Sequence, residues 1–542
     1  MQQRCLLRWF PLLLLTFVVA WPADPALAQS EIANRLRARI ETGLTTASFD
    51  VMDERIYARE TLRRFYPVRD FAPIWISADG LEPHAEAFME WLASEPRRQG
   101  LRPEHYHLDA LESLPQDRAG ALVDMELALS DAFLIVGSHF LAGRLNPETL
   151  DSEWVASRRH LDLAPVLDRA ATGAGALLES LLPTAPEYHA LVAYLEKYRQ
   201  LRDSSVWPVV EQGPTIRKGE TGPRVAQLIE RLRAGGDLDS VAANDFDATV
   251  ESAVRRFQSR HGLTADGLVG RGTLAALNVP IQSRINQIIV NLERWRWLPE
   301  TLGERYIIVN IAEFRLDVVE QGEPVKTMRV VVGRPYRRTP VFSETIRYLV
   351  LNPSWEVPST IATQDKLPLI KQNPDYLTAQ GYQLLQGWGA DERRIDPGSV
   401  DWSTVTARNF PYRLRQAPGP LNALGQVKFM FPNKFSVYLH DTPARDLFGE
   451  DARAFSSGCI RLEKPLDLAE LLLGDDARWS RAAIDRVVAD GREQTVRLTR
   501  PMPVHLLYWT ARVDEFGTLK FWDDIYGRDQ LVLRELRDDP QS

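Results

Sequence analysis

"RYIIVNIAEFRLDVVEQGEPVKTMRVVVG", Arg305 to Gly333, is where the hydrophobic period of this chain changes. Ahead of it, apolar residues recur at helical spacing. Within it they alternate, as at Ile307, Val309 and Ile311, or Leu316 and Val318. A period of two, broken by a Gly-Glu-Pro turn, reads as a hairpin-like β pattern. Working outward, "TIRYLVLNPSWEVP" (345–358) continues the sheet. "VKFMFPNKFSVYLHD" (427–441) gives two short strands joined at Pro432-Asn433, and "GREQTVRLT" (491–499) adds another. One helix is expected at "PLDLAELLLG" (465–474), and "PVHLLYWTARVDEFGTLKFWDDIYGRD" (503–529) reads as a hairpin followed by a short tail.

Between Ile361 and Leu421 the alternation fails. Pro368, Pro374, Pro397, Pro411, Pro418 and Pro420 fall here, with Gly387 and Gly389. A stretch this long inside a compact β domain is functional or disordered. Trp388, Trp402, Phe410 and Tyr412 argue for order, so the insertion is expected to be a lid over a site.

Toward the N-terminus, residues 30 to about 210 are mostly helical. "AFMEWLASEPRRQGL" (87–101), "MELALSDAFLIVGSHFLAGRL" (125–145) and "PEYHALVAYLEKYRQLRD" (186–203) carry amphipathic spacing. "FAPIWIS" (71–77) is either a strand or an extended packing segment. His105 and His107 have no further ligand pattern around them and read as ordinary surface or core histidines. Residues 213–280 form a compact unit of three helices, with Asp247 as an N-cap ahead of Val250, Val254 and Phe257. "SRINQIIVNLERWRWL" (283–298) is a further amphipathic helix linking this unit to the β region.

The chain has 542 residues, more than one domain holds. Its formal charge is −8, and loss of the leader (Arg4, Arg8, Asp24) leaves it more acidic, which disfavours nucleic acid as a partner. That leader has a basic start, an apolar run from Leu12 to Ala20 and a small-x-small site at Ala26-Leu27-Ala28. Export with cleavage before Gln29 is expected, since the run is shorter than the ~20 residues of a span. An uncleaved membrane anchor is the alternative.

Of the two cysteines, Cys5 lies in the leader and Cys459 remains, so no internal disulfide can form. Cys459 sits in "SSGCIRL", and His440 ends "FSVYLH". Two strand ends of one sheet can bring these side chains together. A Cys–His pair is the minimum for thiol nucleophilic catalysis, because an imidazole must take the proton of a thiol whose free pKa is about 8.5. Gly458 permits close approach of backbone to an acyl oxygen. Amides at Ser457, Gly458 and Cys459 are candidates for an oxyanion site. Arg461 would share a face with Cys459 on a strand, to hold a substrate carboxylate or to make a structural salt bridge. Ser-x-x-Lys and His-Glu-x-x-His do not occur, which disfavours penicillin-binding and zinc-peptidase chemistry.

"YLHDTPARDLFGEDARAFSSGCIRL" (438–462) resembles the L,D-transpeptidase signature of the YkuD type: a His, roughly fifteen residues, then Ser/Thr-His-Gly-Cys. His440 precedes Ser456 by sixteen positions, and Ser457 stands where the second His is usual. "VAQLIERL" (225–232) and "AVRRFQSRHGLTADGLVGRGTLAALN" (253–278) resemble the small peptidoglycan-binding domain, as a ligand-binding or a purely packing module. The order of parts resembles the large periplasmic subfamily. The expected fold class is multidomain α+β: signal peptide 1–28, helical scaffold 29–212, three-helix peptidoglycan-binding-like domain 213–280, linker helix 281–303, mainly-β catalytic domain 304–500 with capping insertion 361–421, and C-terminal hairpin and tail 501–542.

The resemblance implies a cysteine acyltransferase of peptidoglycan biosynthesis in the periplasm, supporting cell-wall shape. Cys459 would be the nucleophile and His440 the general base and acid. Gly458 and Ser457 would form the oxyanion site, and Arg461, Ser456 and Asp441 would contact substrate. Asp441 or a backbone carbonyl would orient His440. The enzyme would take tetrapeptide stems on glycan strands, release D-Ala and form 3-3 cross-links, with no metal or organic cofactor, as a monomer. Carbapenems should acylate the same thiol. The alternatives are an L,D-carboxypeptidase, a transferase to another amine, or an inactive murein-binding scaffold.

Overall fold

The computed structural model describes residues 25–43, 49–113, 119–204, 207–239 and 245–538. Most of the expected leader, residues 1–24, lies outside them. Among the described residues no helix is long and apolar enough to cross a membrane. The chain divides into two compact units. One comprises residues 1–92, 106–135 and 163–177, the other 93–105, 136–162 and 178–542.

The first unit is helical, with a core of aromatic rings around a buried polar network. Trp75 stacks on Phe88 at 5.0 Å, and Phe88 meets Phe133 edge-on at 5.9 Å. "FAPIWIS" contributes only Ile76–Ser77, a two-residue strand paired with Gly80–Leu81. Beneath it the carboxylate of Glu126, fully buried, accepts hydrogen bonds from the Tyr66 hydroxyl at 2.7 Å and from the Ile74 and Trp75 amides at 2.8 Å. His107 is a buried core residue whose ring nitrogens face Glu54 at 2.5 Å and Asp131 at 2.8 Å. Asp131 also accepts from the Tyr57 and Ala58 amides. A buried charge is tolerated only when paired and hydrogen-bonded: Asp131 has both, in His107 and two amides, while Glu126 is met by hydrogen bonds.

In the second unit the three-helix segment forms as read. Helices Pro223–Ala234, Ala248–Arg260 and Arg271–Leu277 enclose Leu228, Val250, Val254, Phe257 and Leu274, and Asp247 caps the second helix by accepting from Val250 N at 2.9 Å. The helix Ile281–Arg296 is no free linker. Glu293, Arg294 and Arg296 are buried in it. Arg296 pairs with Glu293 at 3.1 Å, and Arg294 with Asp529 at 2.6 Å.

The β region is a closed sheet of β1 (Arg305–Asn310), β2 (Arg315–Glu320), β3 (Glu323–Gly333), β4 (Phe342–Leu351), β5 (Val427–Met430), β6 (Leu439–His440), β7 (Ala454–Ser456), β8 (Ile460–Leu462) and β9 (Gln494–Leu507). Pairing runs β3-β8-β6-β5-β4-β9-β1-β2 and returns to β3, with β7 attached to β3. Closure removes exposed edges. The interior is filled by Ile307, Val309, Leu316, Val330, Leu349, Leu439, Ile460 and Leu506, closed by the helix Pro465–Leu473.

Outside the insertion, the β region and the segment after it depart from expectation at four places. The β2–β3 turn is Gln321–Gly322, both at positive φ, as a two-residue hairpin of this twist requires, and Pro324 lies in β3. "FSVY" is mostly loop: Asn433 folds it by donating to the Phe431 and Val437 carbonyls and accepting from the Phe435 and Val437 amides. The boundary at residue 500 falls inside β9. Pro501 and Pro503 give that run the look of a strand end, but the strand absorbs them with a register shift between Arg497 and Met502. The C-terminal segment is no tail. Tyr526 donates to the Gly333 carbonyl at 2.6 Å, and Arg528, almost wholly buried, pairs with Asp151 at 2.8 Å and Glu153 at 3.1 Å.

The network in the first unit makes its stability fall as pH rises. Burial alone would lower the His107 pKa, but hydrogen bonds and charge from Asp131 and Glu54 outweigh it and raise the value to about 9. Burial raises Glu126 to about 7. Both folded values lie above the unfolded ones, so the associated stability is complete below the unfolded pKa and is lost as pH climbs through 7 for Glu126 and 9 for His107. Hydrogen exchange of helix Ala119–Ala142 should therefore be slowest at acidic pH after correction for intrinsic rates. In His107→Gln the loss between pH 7 and 9 should disappear.

Candidate active site

β6 and β8 run parallel, with Leu439 opposite Ile460 and His440 opposite Arg461. Cys459, the residue before β8, therefore comes up beside Tyr438, the residue before β6, where the Ile460 amide donates to the Tyr438 carbonyl at 3.2 Å. Cys459, His440 and Arg461 line one cleft of about 930 Å3. Its far wall is the insertion, through Trp355, Ile361, Asp365 and Lys366.

The insertion is a folded subdomain, larger than the 361–421 loop expected. Strands Trp355–Glu356, Tyr382–Gln386, Arg393–Ile395 and Arg413–Gln416 form a four-stranded sheet over a core of Leu367, Ile370, Leu377, Trp402 and Leu414. Trp355, read as part of the main sheet, belongs here. Glu356 and Glu392 bridge Arg413 and Arg415 across its strands at 2.7–2.9 Å. The strands are too short and too charged to show a period of two.

His440 is buried, and its Nδ1 lies 2.5 Å from the carbonyl oxygen of Asp441. A carbonyl only accepts, so Nδ1 carries the proton and Nε2 is left as an acceptor. The Asp441 carboxylate takes no part in orienting the ring. It accepts from the amides of Gln426 at 2.8 Å and Thr442 at 2.7 Å and pairs with Arg445 at 3.1 Å. Both oxygens of the Asp441 carboxylate are thus engaged within the protein, and Asp441 is not among the residues that line the cleft.

Ser456 is also committed within its own loop. Its hydroxyl donates to the Cys459 carbonyl at 2.6 Å and accepts from the Gly458 amide at 3.1 Å. That bond occupies the Gly458 N–H expected in the oxyanion site and leaves the amides of Ser457 and Cys459 from the proposed set. Glycine is required at 458 by its φ of +115°; a Cβ there would meet nothing closer than 3.6 Å. The Ser457 hydroxyl accepts from Arg337 Nη1 at 3.0 Å.

Cys459 is partly exposed, with Sγ 3.9 Å from the Ser436 carbonyl. Burial in the cleft lifts its pKa to about 11, against the opposing pull of the Tyr438 amide, Arg461 and the Tyr438 hydroxyl. Burial and the nearby Arg461 cation hold His440 down to about 3. At neutral pH the resting pair is a thiol beside a neutral imidazole. Arg461 makes no ion pair among the described residues, and its Nε is buried without a partner. Tyr438, whose ring meets His440 edge-on at 5.6 Å, had no signal in the sequence. Neither had Arg337, hidden in "GRPYRRTP" (333–340), which reads as an ordinary polar turn.

Comparison with known proteins bears on this site. Residues 304–492 match the L,D-transpeptidase catalytic domain, residues 60–195 a scaffold domain, and residues 221–277 the "Putative peptidoglycan binding domain". A Haemophilus influenzae protein named "Putative L,D-transpeptidase" is 38% identical over 257 residues, covering 47% of this chain and 51% of that one. The N-acetylmuramoyl-L-alanine amidase CwlM of Mycobacterium tuberculosis is 38% identical over 80 residues, 13% of this chain and 20% of that one. The chain thus spans about half the length, or less, of these curated relatives. Among solved structures, an L,D-transpeptidase of Xylanimonas cellulosilytica is 16% identical, covering 55% of this chain and 99% of that one, with a TM-score of 0.18.

The charge state of the resting site predicts slow alkylation of Cys459. At pH 7 iodoacetamide should label it about two orders of magnitude more slowly than a free cysteine of pKa ~8.5. The rate should rise with pH without levelling below pH 9, as expected for a thiol near 11. A plateau at pH 6–7 would instead indicate a preformed thiolate–imidazolium pair.

Proposed function

We propose, from the membership of residues 304–492 in the L,D-transpeptidase catalytic-domain family, that this chain is a periplasmic transpeptidase forming 3-3 cross-links in peptidoglycan. The observation that supports the reading is that Cys459 and His440 line one cleft, with His440 Nδ1 held by the Asp441 carbonyl so that Nε2 is free to accept a proton.

In this reading a tetrapeptide stem enters the cleft with its carboxylate toward Arg461. As Sγ of Cys459 attacks the carbonyl of the third residue, the thiol proton passes to His440 Nε2. The amides of Ser457 and Cys459 stabilise the oxyanion. The C–N bond to D-Ala then breaks, and His440 returns the proton to the departing amine. A side-chain amine of a second stem attacks the thioester, gives its proton to His440 and displaces the thiolate, which is reprotonated. Because the resting thiol is neutral, proton transfer accompanies attack. The three-helix domain supports a role in holding glycan strands. Two other reactions share the same acyl-enzyme: release of the acyl group to water, and transfer to another amine. Product analysis separates them. An inactive murein-binding scaffold forms no acyl-enzyme.

The test is intact-protein mass spectrometry with a carbapenem, followed by product analysis on tetrapeptide muropeptides. Wild type should gain one covalent adduct and make cross-linked dimers. Cys459→Ala should do neither while keeping its binding to sacculi. His440→Ala should slow turnover by roughly a hundred- to ten-thousandfold. A folded wild type that takes no adduct and makes no product would leave the scaffold reading.

A further inference from the structure

Three successive residues of the thiol loop are held by one other loop. The Arg334 amide donates to the Ser456 carbonyl at 3.0 Å, Arg337 Nη1 to the Ser457 hydroxyl at 3.0 Å, and the Thr339 hydroxyl to the Gly458 carbonyl at 2.9 Å. The holding loop, 333–341, is itself rigid. It folds tightly over Gly333, where a Cβ would come within 2.8 Å of the Thr339 amide. Fully buried Thr339 accepts from the Gly333 amide at 2.9 Å and donates its own amide to the Tyr526 hydroxyl at 3.1 Å.

Arg337 alone of these contacts reaches the other way as well. Its guanidinium pairs with both carboxylate oxygens of Asp365, through Nη1 and, at 2.8 Å, Nη2, and donates to Gln364 Oε1 at 2.8 Å. Gln364 and Asp365 are adjacent, and adjacent residues of an α-helix do not face one partner. Here they lie in a π-helical turn, Ala362–Lys366, between the short helices Ser359–Ile361 and Leu367–Gln372. Such turns mark functional positions more often than α-helix does. The turn presents both side chains to a single cation. Arg337 is mostly buried and Asp365 about a third exposed, so solvent competes with the pair only in part.

We infer that Arg337 is a positioning residue that couples the insertion to the thiol loop, so that reactivity of Cys459 depends on where the insertion stands. The inference rests on the transpeptidase reading for its chemical consequence, though not for the coupling itself. With the insertion seated, Arg337 holds the Ser457 side chain, between the Ser456 and Gly458 carbonyls held by Arg334 and Thr339. Loss of the Asp365 contact lets the guanidinium swing away and releases that middle hold, loosening the segment that carries the proposed oxyanion amides.

The test uses the full chain and two readouts. Hydrogen exchange of peptides covering 455–460 reports coupling with no assumption about activity. The rate of carbapenem acylation at Cys459 reports chemistry. Asp365→Asn, which touches the loop only through Arg337, should speed exchange at 455–460 and slow acylation by about tenfold, the scale of a sub-ångström misplacement. Exchange in β4 and β9 should stay at wild-type rates. Arg337→Lys, with no fork to bridge two partners, should do the same. Asp365→Asn combined with Ser457→Ala should add little to either single change. Wild-type exchange at 455–460 in Asp365→Asn would overturn the coupling. Faster exchange with unchanged acylation would overturn the positioning role. If wild type takes no carbapenem, the transpeptidase reading fails, while exchange still decides the coupling.

Discussion

Two residue pairs in parallel register, Leu439 with Ile460 and His440 with Arg461, set the geometry of the whole site. Antiparallel neighbours can be joined by a tight turn, but parallel neighbours need a crossover of a dozen residues or more. The chain from Asp441 to Cys459 is that crossover, and it explains the spacing between imidazole and thiol as a requirement of chain path. It also supplies β7, which pairs with the end of β3 and brings Ser456 and Ser457 up against loop 333–341. Were the two strands antiparallel, the end of β6 would adjoin the start of β8, and a tight turn would replace the crossover that carries β7.

The charges of the cleft follow from the same arrangement. Burial keeps both the thiol and the imidazole neutral, and the cations Arg461, Arg334 and Lys366 stand around them. A neutral thiol of this kind is poorly reactive and poorly oxidised. An anion entering this cleft meets cations that form no ion pair among the described residues, next to the paired Arg337 and Asp365.

The sequence was legible wherever one residue type had one physical use. The change of period at 305 located the closed sheet, Asp247 marked a helix start, and the lone cysteine with a histidine ahead of it located the cleft. It was illegible where a role depended on what an atom was already bonded to. Ser456, Gly458 and Asp441 were all read as facing substrate, and each has the relevant atom engaged inside the protein. The insertion escaped because its strands are held by Arg–Glu bridges across short pairings instead of by an alternating apolar face. β9 escaped because its two halves are separated by a register shift at Pro501, which breaks the alternation between Arg497 and Met502.

The clamp on loop 333–341 comes from far along the chain. Tyr526 closes on Gly333 across 193 positions and on Thr339 across 187. A polypeptide made and delivered from its N-terminus must therefore expose Cys459 well before the residues that lock its surroundings have arrived. During that interval the loop that holds Ser456, Ser457 and Gly458 lacks its own clamp, so the docking of a segment outside the cleft completes the surroundings of the thiol.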